Sequence, residues 1–540
     1  MNILFVTIRT RSRELVEEPG LSAIAAYVSQ QDIRFNCRVV QIFALDTKID
    51  SLLLELRSFS PEILAFSLYD DDFEMQIDVV RKFSIFFPDS TICAGGYSPT
   101  YHGRELMVAY PFIDICVIGE GELAMCGIAS SIGLDDSNQD LNSVAGIIYR
   151  NGETLKETGP CMLIENLDSL PFTNRDILQA GNYNLAQIAT SRGCIGRCSF
   201  CSSSSFWRDG AGRRKYRYMS TKRVVDEIEY VLSKYRRTRF VFNDNSYEDP
   251  SSSIERQLDI AYEIIKRRLH ISYNVNYRAG FYQNASTDFM RVMIASGLSS
   301  IFLGIEAFND IDLDIYQKGT TLLDNENALS YFSSFKELGV SIGFININPY
   351  STIERIQQNL HFLHRYGYAN DLSNFASKLR VYRGTEIYGR IFEDGLLRGD
   401  FSENHCYSFV DERVALLDSF LMSIDHDLLR DSGFYCDRFR NIIRFLKRWF
   451  FDISDQIAYD IVVDAEKEYV GLLSELNELS YVFFDKITSL AAGCWNEKQA
   501  CELKNEYIPV ASSFVARLHR KRNYLISSLM RINSAYISLF

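Results

Sequence analysis

The chain has 540 residues, 47% of them hydrophobic, and a net charge of −13, so we expect two or three domains rather than a single core. The acidic balance, without a long basic tract, argues against general nucleic-acid binding, and no apolar run reaches the length of a membrane span. Twelve mostly scattered cysteines and no secretory signal predict a cytoplasmic protein with reduced thiols and a small-molecule or peptide substrate.

The first part of the chain alternates short apolar runs with amphipathic ones. This spacing predicts parallel strands joined by helices, and therefore a doubly wound α/β sheet over residues 1–150. The predicted strands are 2–7, 38–43, 63–67, 90–94 and 113–118. Ligands of such sheets bind at the carboxyl ends of strands, where glycine lets the backbone approach closely. The candidate cofactor-binding residues at these ends are Ser67, Gly95, Gly96, Gly119 and Glu120.

Four segments of this region resemble a cobalamin-binding Rossmann-like domain in order and spacing. They are Glu18–Leu21, Pro61–Ser67, Ala94–Thr100 and Asp114–Glu122. The resemblance implies cobalamin as a cofactor, but residues 8–14 lack the histidine of the mutase motif Asp-x-His-x-x-Gly. Cobalamin would then bind without a protein imidazole, and His102 is interpreted as an ordinary loop histidine. The alternative is a domain that keeps the fold without the cofactor. The acidic run 70–72 would lie near the corrin unless it forms a solvated turn.

Three cysteines follow a predicted linker at 151–184, in the segment Cys194-Ile-Gly-Arg-Cys198-Ser-Phe-Cys201. Three residues and then two separate the thiols, so one short loop can bind three corners of a [4Fe–4S] cluster and leave one iron open. A zinc site is the alternative. Zinc usually takes a fourth Cys or His at similar spacing, whereas here a run of serines follows the third cysteine.

This segment resembles the signature of the radical S-adenosylmethionine (SAM) superfamily, in which the open iron binds SAM. The match includes the aromatic residue before the last cysteine, Phe200, which the family places near the adenine. The resemblance implies that Cys194, Cys198 and Cys201 are the metal ligands. It also implies reductive cleavage of SAM to methionine and a 5′-deoxyadenosyl radical, with electrons from a donor such as flavodoxin or ferredoxin.

Residues 185–395 again alternate strand and helix, and six such steps predict a partial (β/α)6 barrel rather than a full eight-stranded one. The predicted strands are 187–190, 239–243, 271–276, 300–305, 341–346 and 376–381. By resemblance, the SAM contacts at the strand ends are Asn243, Asp244, Arg278, Gly304 and Glu306. For Glu306 and Arg278, the alternative to SAM contact is an ion pair between them that closes the barrel mouth. Segment 346–352 lacks the glycines of relatives, so SAM contacts are not transferred to it.

From residue 396 to 540 the pattern becomes helical. Apolar stripes over 439–450 and 469–479 are typical of helix-packing faces, and a lid over the barrel mouth is the sharper alternative. The cysteines of this part lack paired spacing, so we expect a single cluster. His361 and His364 share a predicted helix with no further ligand and are interpreted as surface residues.

Together these features predict a radical SAM enzyme. The leading hypothesis is a cobalamin-dependent methyltransferase that acts on an unactivated carbon of a biosynthetic small molecule or peptide. The first alternative is an enzyme of the same layout that catalyses a rearrangement, dehydration, epimerisation or cyclisation. The second is a non-catalytic binding partner, which the three intact cysteines disfavour.

Overall fold

The computed structural model describes residues 1–9, 17–43, 49–133, 140–175, 177–178, 185–208, 212–248, 254–399 and 406–539. Within these ranges, two largely parallel α/β sheets follow each other along the chain and a helical bundle ends it, which confirms the predicted fold class. Most of the loop without a histidine, from residue 10 onward, lies outside the described residues. None of the helices in these ranges is long and apolar enough to cross a membrane.

Seven strands form the amino-terminal sheet: β1 (Asn2–Arg9), β2 (Asn36–Phe43), β3 (Ile63–Ser67), β4 (Thr91–Gly95), β5 (Ile115–Val117), β6 (Ile147–Asn151) and β7 (Thr154–Glu157). Their order is β2-β1-β3-β4-β5-β6-β7; the first five are parallel, and β6 and β7 pair antiparallel. The helices of this part are α1 (Pro19–Gln31), α2 (Ile49–Leu56), α3 (Phe73–Phe86), α4 (Tyr97–Ala109) and α5 (Gly121–Gly133).

Strand β1 is buried on both faces, as expected for the middle of a doubly wound sheet. Ile3 and Phe5 pack into the hydrophobic cluster on one face, and Leu4 and Val6 pack into the cluster on the other. The strand order reverses between β1 and β3, and such a reversal opens a crevice at the carboxyl ends of the strands. The predicted ligand-binding residues lie along the same edge of the sheet, with Ser67 at the end of β3 and the others at the ends of β4 and β5.

The second sheet is the open barrel, whose five parallel strands run in the order β14-β13-β12-β11-β8. They are β8 (Ala186–Ile188), β11 (Arg239–Phe242), β12 (Ser272–Arg278), β13 (Leu298–Glu306) and β14 (Gly339–Phe344), with the short antiparallel pair β9 (Ser191–Arg192) and β10 (Arg217–Tyr218). Its helices are α6 (Ser202–Phe206), α7 (Thr221–Tyr235), α8 (Glu255–Lys266), α9 (Thr287–Ser296), α10 (Asp310–Ile315), α11 (Leu322–Ser333), α12 (Ile353–Arg365) and α13 (Glu386–Glu393).

One barrel strand differs from the sequence prediction. The sixth strand, expected at 376–381, is reduced to one parallel bridge between Ile347 and Lys378. Helix α11 begins at Leu322 because Thr321 and Asp324 form a capping box.

The bundle contains α14 (Glu412–Met422), α15 (His426–Gly433), α16 (Phe439–Asp452), α17 (Gln456–Ala492) and α18 (Glu497–Ile532). The apolar stripes of α16 and α17 are largely buried, which confirms that they are packing faces. From α16, Arg444 donates to the Leu338 carbonyl (2.9 Å) and Asn441 donates to Ser341 Oγ (3.1 Å), both at the start of β14. The bundle therefore covers the amino end of the barrel, and the alternative of a lid over its mouth is wrong.

Candidate cofactor site

The cluster loop follows β8 and β9 and is held by a buried carboxylate. Asp244 accepts hydrogen bonds from Thr190 Oγ1 (2.9 Å) and from the hydroxyl of Ser191, three residues before the first cysteine. Burial raises the pKa of Asp244, and the two hydroxyl donors counter that shift. Asp244 was predicted to contact SAM, but its carboxylate points at the loop and holds the first cysteine in place.

Three thiols of this loop share one partly buried space. Burial raises the pKa of Cys194 and Cys198, and the neighbouring thiols raise it further. The backbone N–H of Gly196 donates to Cys194 Sγ (3.3 Å), which curls the loop around the space. Among the described residues, no three Cys, His, Asp or Glu side chains are arranged to hold a metal ion. Three cysteines on one loop without a fourth ligand fit a [4Fe–4S] cluster, in which each thiolate binds a different iron.

A buried ion pair lies at the carboxyl end of β13. Glu306 Oε1 is 2.9 Å from Lys318 Nζ, and the backbone of Glu306 is left-handed with φ of 66°. Burial alone would lower the pKa of Lys318, but the charge of Glu306 and the nearby Cys198 thiol raise it. Gly304 leaves room for this pair, because a Cβ there would lie 2.8 Å from Glu306 Oε1 and closer still to Lys318 Nζ. The alternative pair of Glu306 with Arg278 is therefore wrong.

Arg278 and Asn243 face the same mouth with hydrogen-bonding atoms to spare. Arg278 Nη2 donates to the Lys318 carbonyl (3.1 Å), while its Nε is buried without a partner among the described residues. Asn243 Oδ1 is also buried, and it has no hydrogen-bond partner among the described residues. Buried polar atoms of this kind usually have partners, so both indicate a polar ligand. A guanidinium donor and an amide acceptor suit the amino-acid end of SAM.

Sequence reasoning gave Lys318 no role and missed Glu248. Glu248 accepts from the backbone N–H of Arg278 (2.7 Å) and from Ser246 Oγ (3.1 Å), and burial raises its pKa. The sequence feature that could have identified Glu248 was its position, three residues after the segment 243–245 at the end of β11. The partner of Lys318 is Glu306, twelve residues earlier in the chain, and this pairing could not be read from spacing.

A cavity of about 290 Å³ lies in the seam between the two sheets. It is lined by all five residues predicted in the first sheet, Ser67, Gly95, Gly96, Gly119 and Glu120, together with Asn243 from the barrel. Gly96 and Gly119 have φ of 99° and 81°, a region that favours glycine. A Cβ on Gly96 would also lie 2.8 Å from the Leu68 carbonyl oxygen.

Glu120 joins the two domains. Its carboxylate accepts from Arg217 (2.7 Å) and Arg192 (3.1 Å), both next to the cluster loop, and from the backbone of Ile164 (2.9 Å). Although burial opposes it, the hydrogen bond from Arg217 and the charges of both arginines hold the pKa of Glu120 below its ordinary value. Trp207 lies within 6 Å of both guanidinium groups, at 5.9 and 5.7 Å. Glu120 lines the cavity, but its carboxylate is bound to protein groups.

Two earlier interpretations in the first domain are wrong. His102 is buried on α4, with Nδ1 3.2 Å from Arg383 Nη1, and so is not an ordinary loop histidine. The run 70–72 is not a solvated turn, because Asp70 accepts from Ser98 Oγ (2.5 Å) and Asp71 pairs with Arg380 of the barrel.

A larger chamber of about 1520 Å³ extends from the seam through the barrel interior to α16 of the bundle. Tyr69 and Tyr97 line both this chamber and the seam cavity, so the two spaces meet at these rings. Phe200, predicted near the adenine, packs edge-on against Tyr316 at 5.5 Å between ring centroids and lines neither space.

Comparison with known proteins identifies two domains. Residues 188–363 match the family model of the radical SAM superfamily, and residues 6–129 match that of the B12 binding domain. The similar curated proteins include the anaerobic magnesium-protoporphyrin IX monomethyl ester cyclase of Cereibacter sphaeroides, 26% identical over 52% of this chain and 45% of the relative. They also include the hopanoid C-3 methylase of Methylococcus capsulatus, 26% identical over 55% of this chain and 56% of the relative.

The fold is also similar to a solved structure. The cobalamin-dependent SAM radical enzyme OxsB, with aqua-cobalamin and SAM bound, superimposes with a TM-score of 0.68 and 17% identity. The alignment covers 99% of this chain and 80% of that one. Thus the chain shares its whole architecture with that structure, whereas it covers less than half the length of the cyclase.

Proposed function

We propose that this radical SAM protein, whose amino-terminal domain is a B12 binding domain, is a cobalamin-dependent methyltransferase acting on an unactivated carbon of a biosynthetic small molecule or peptide. The observation that carries the proposal is the seam cavity. It lies at the carboxyl ends of β3, β4 and β5 in the first sheet, is lined by glycines, and meets the chamber of the barrel. A cofactor held there would face a substrate held in the barrel.

The site residues would hold three bound groups, which are the cluster, SAM and cobalamin. Cys194, Cys198 and Cys201 would hold the cluster. Asn243, Arg278 and the Glu306–Lys318 pair would hold SAM at the mouth, and Ser67, Gly95, Gly96 and Gly119 would hold cobalamin. When bound, these groups would supply one-electron reductive cleavage of SAM and a cobalt that carries methyl groups. An electron donor such as flavodoxin or ferredoxin would be required.

The chain itself positions these groups and excludes water. Asp244 fixes the cluster loop through Thr190 and Ser191, and the Glu120 carboxylate fixes the seam through Arg192 and Arg217. The bundle closes the far end of the barrel. A closed chamber protects reactive species from water and from side reactions.

The test is corrinoid binding combined with product analysis. The protein is purified without oxygen, its cluster is reconstituted, and hydroxocobalamin is added before desalting. We expect close to one corrinoid per chain, and, with methyl-deuterated SAM and a reductant, deuterated methylcobalamin and S-adenosylhomocysteine. A Cys198→Ala variant should retain corrinoid and lose 5′-deoxyadenosine formation. Failure to retain corrinoid would contradict the proposal.

The name of one relative favours a second candidate, a radical reaction without methylation, because the Cereibacter sphaeroides protein is named a cyclase. In that case the reconstituted protein would cleave SAM to 5′-deoxyadenosine and form no S-adenosylhomocysteine. The same assay therefore separates the two candidates.

A further inference from the structure

The inner walls of the barrel chamber carry hydroxyl and amide side chains. Lining residues of this type come from four of the five strands and are Gln187, Ser272, Asn274, Asn276, Ser299, Ser300 and Ser341. Barrels of this type are more often filled by bulky branched side chains. Among the lining residues of these strands, Arg239 at the amino end of β11 is the charged one. The walls therefore offer uncharged hydrogen-bonding groups around an open space.

Two amide oxygens in the chamber lack partners. Asn274 Oδ1 and Asn441 Oδ1 are buried, and neither has a hydrogen-bond partner among the described residues. The Asn441 amide donates its Nδ2 to Ser341 Oγ (3.1 Å), and its Oδ1 lies beside Gly339 without a hydrogen-bond partner among the described residues. Buried acceptors of this kind are normally satisfied, so a ligand that donates hydrogen bonds is missing from these walls.

An aromatic ring protrudes into the same space. Phe302 on β13 lines the chamber, and 45% of its surface is exposed there. Its ring leans over Gly343 of β14, two residues beyond its register partner Ser341. A Cβ on Gly343 would lie 3.0 Å from the ring, so the absence of a side chain there leaves room for Phe302. A bare ring among amides and hydroxyls can pack against the C–H face of a ligand while its hydroxyl groups bond to the walls.

Apart from Arg239, the charged residues that line the chamber lie toward its two ends. They are Arg9, Glu18, Asp70 and Asp71 at the seam, and Asp371, Arg430, Asp431 and Arg522 at the bundle. Arg9 and Glu18 pair at the seam (3.7 Å), and Arg430 and Asp431 pair at the bundle (3.1 Å). An ionised group placed between them, against the strand walls, would lose hydration without gaining a counter-charge. The walls thus suit an uncharged group with several hydroxyls.

We propose that the chamber binds the hydroxyl-rich ring of a sugar, carried by a glycoside or a nucleoside. This inference rests on the proposed function, since it names the substrate class of that enzyme. Sugar hydroxyls both donate and accept, which matches the free oxygens of Asn274 and Asn441 and the hydroxyls of the walls. The carbon and hydrogen face of the ring matches Phe302.

The test measures ligand binding to the reconstituted full chain by saturation-transfer difference NMR. The probes are methyl glycosides, adenosine and uridine, a neutral tripeptide and an apolar sterol. We expect saturation of sugar-ring protons; a response from methyl glycosides would identify a glycoside, and a response from the nucleosides alone would identify a nucleoside. Tighter binding of the sterol or the tripeptide, or no sugar response at millimolar concentration, would overturn the inference.

Two variants localise the binding. Asn274→Leu, which replaces the amide by an apolar group of similar size, and Phe302→Leu should each weaken sugar binding about tenfold or more. Asn151→Ala, at an exposed position of β6, is the matched control and should bind like the wild type. Unchanged binding by both chamber variants at wild-type melting temperature would contradict the site. Corrinoid retention is measured on the same samples, so a failed cofactor assignment and a failed substrate class give different results.

Discussion

At the scale of single residues, the site depends on a few positions with no spare space. Gly304 has room for hydrogen only, because Glu306 and Lys318 meet over its Cα. Glu306 itself adopts a left-handed backbone at the point where the pairing register of β13 and β14 shifts. Left-handed backbone at a non-glycine residue is costly and is often found where function requires it. The end of β13 is therefore shaped around one ion pair.

The change Gly304→Ala tests this geometry. The added methyl group would lie 2.8 Å from Glu306 Oε1 and force the Lys318 ammonium away from the carboxylate. Separating a buried pair leaves both charges poorly satisfied, so we expect a loss of about 3 kcal/mol in stability and weaker SAM binding. Melting temperature and SAM titration measure the two effects.

Gly389→Ala is the control for that substitution. Gly389 lies within α13, and nothing approaches within 4 Å of a Cβ placed there. Alanine is the better helix former, so this variant should be as stable as the wild type or more stable, by up to about 1 kcal/mol. Equal melting temperatures for the two alanine variants would contradict the role of Gly304.

How far the sequence could define the site depends on the kind of contact. The cysteine spacing and the strand-end glycines are local features, and they located the cluster loop and the seam. The Glu306–Lys318 pair joins residues twelve apart across a strand end with positive φ, and Asp244 turns back to the cluster loop, 54 positions earlier. Such pairings depend on tertiary packing, which periodicity and motif spacing do not encode.

At the scale of elements, the segment from the end of β5 into α5 is a buried ionic connection between the domains. It brings Glu120 and Glu122 against Arg192 of β9 and Arg217 of β10, with distances of 2.5 to 3.1 Å. These side chains are largely buried, so the pairs are little weakened by salt. The two strands that flank the cluster loop in the chain are thus fixed to the amino-terminal domain.

The Glu120 carboxylate gives this connection a defined pH dependence. Its pKa is lower in the folded protein than the ordinary value of 4.5, since the hydrogen bond from Arg217 and the two charges outweigh burial. A carboxyl group of this kind adds stability above its unfolded pKa, and the contribution is lost as the pH falls through the folded pKa. Glu120→Gln should therefore lower the melting temperature at neutral pH, and the difference from the wild type should shrink below about pH 4.

The control for this prediction is Glu157→Gln. Glu157 makes an exposed pair with Arg104 at 3.6 Å, with more than half of both side chains accessible. Exposed pairs contribute between about 0 and 1 kcal/mol, so this variant should melt close to the wild type at both pH values. A difference between Glu120→Gln and wild type that stays constant with pH would show that the effect is structural and not ionic.

The elements themselves were predictable where burial and local signals agree. Strand β3 follows Pro61 and is buried over four consecutive residues, and its predicted bounds match the structure. The sixth barrel strand was not predictable, because its segment has apolar residues but makes a single bridge to the rest of the sheet. The end of the barrel that the bundle covers was not predictable either. The contacts are made by Arg444 and Arg448 on the polar face of α16, which donate to the backbone carbonyls of Leu338 (2.9 Å) and Ala295 (3.1 Å). An apolar stripe does not predict such contacts.

At the scale of the whole molecule, the open barrel is closed at both ends by other domains. The first sheet covers its mouth, and α16 covers its amino end. Helix α4 contacts the barrel at the mouth, where Tyr101 OH is 2.7 Å from Ser205 Oγ and Tyr97 OH is 3.3 Å from Ser203 Oγ. Both serines lie on α6, directly after the last cysteine. The serine run that follows the cluster motif therefore attaches the B12 binding domain to the cluster loop.

Tyr101 offers a test of this attachment, because its ring also packs against Gly384 of the barrel. A Cβ on Gly384 would lie 2.7 Å from Tyr101 Cδ1, and the φ of 84° there already favours glycine. Tyr101→Phe removes one hydrogen bond, so we expect a loss of about 1 kcal/mol, which corresponds to corrinoid binding about fivefold weaker. Gly384→Ala should displace the ring and weaken corrinoid binding by about tenfold or more.

Tyr110→Phe, which loses a bond of 2.9 Å to Glu74 within the first domain, should bind corrinoid like the wild type. Spectrophotometric titration with hydroxocobalamin measures all three variants, and equal affinities would show that the contact of Tyr101 with the barrel does not contribute to cofactor binding.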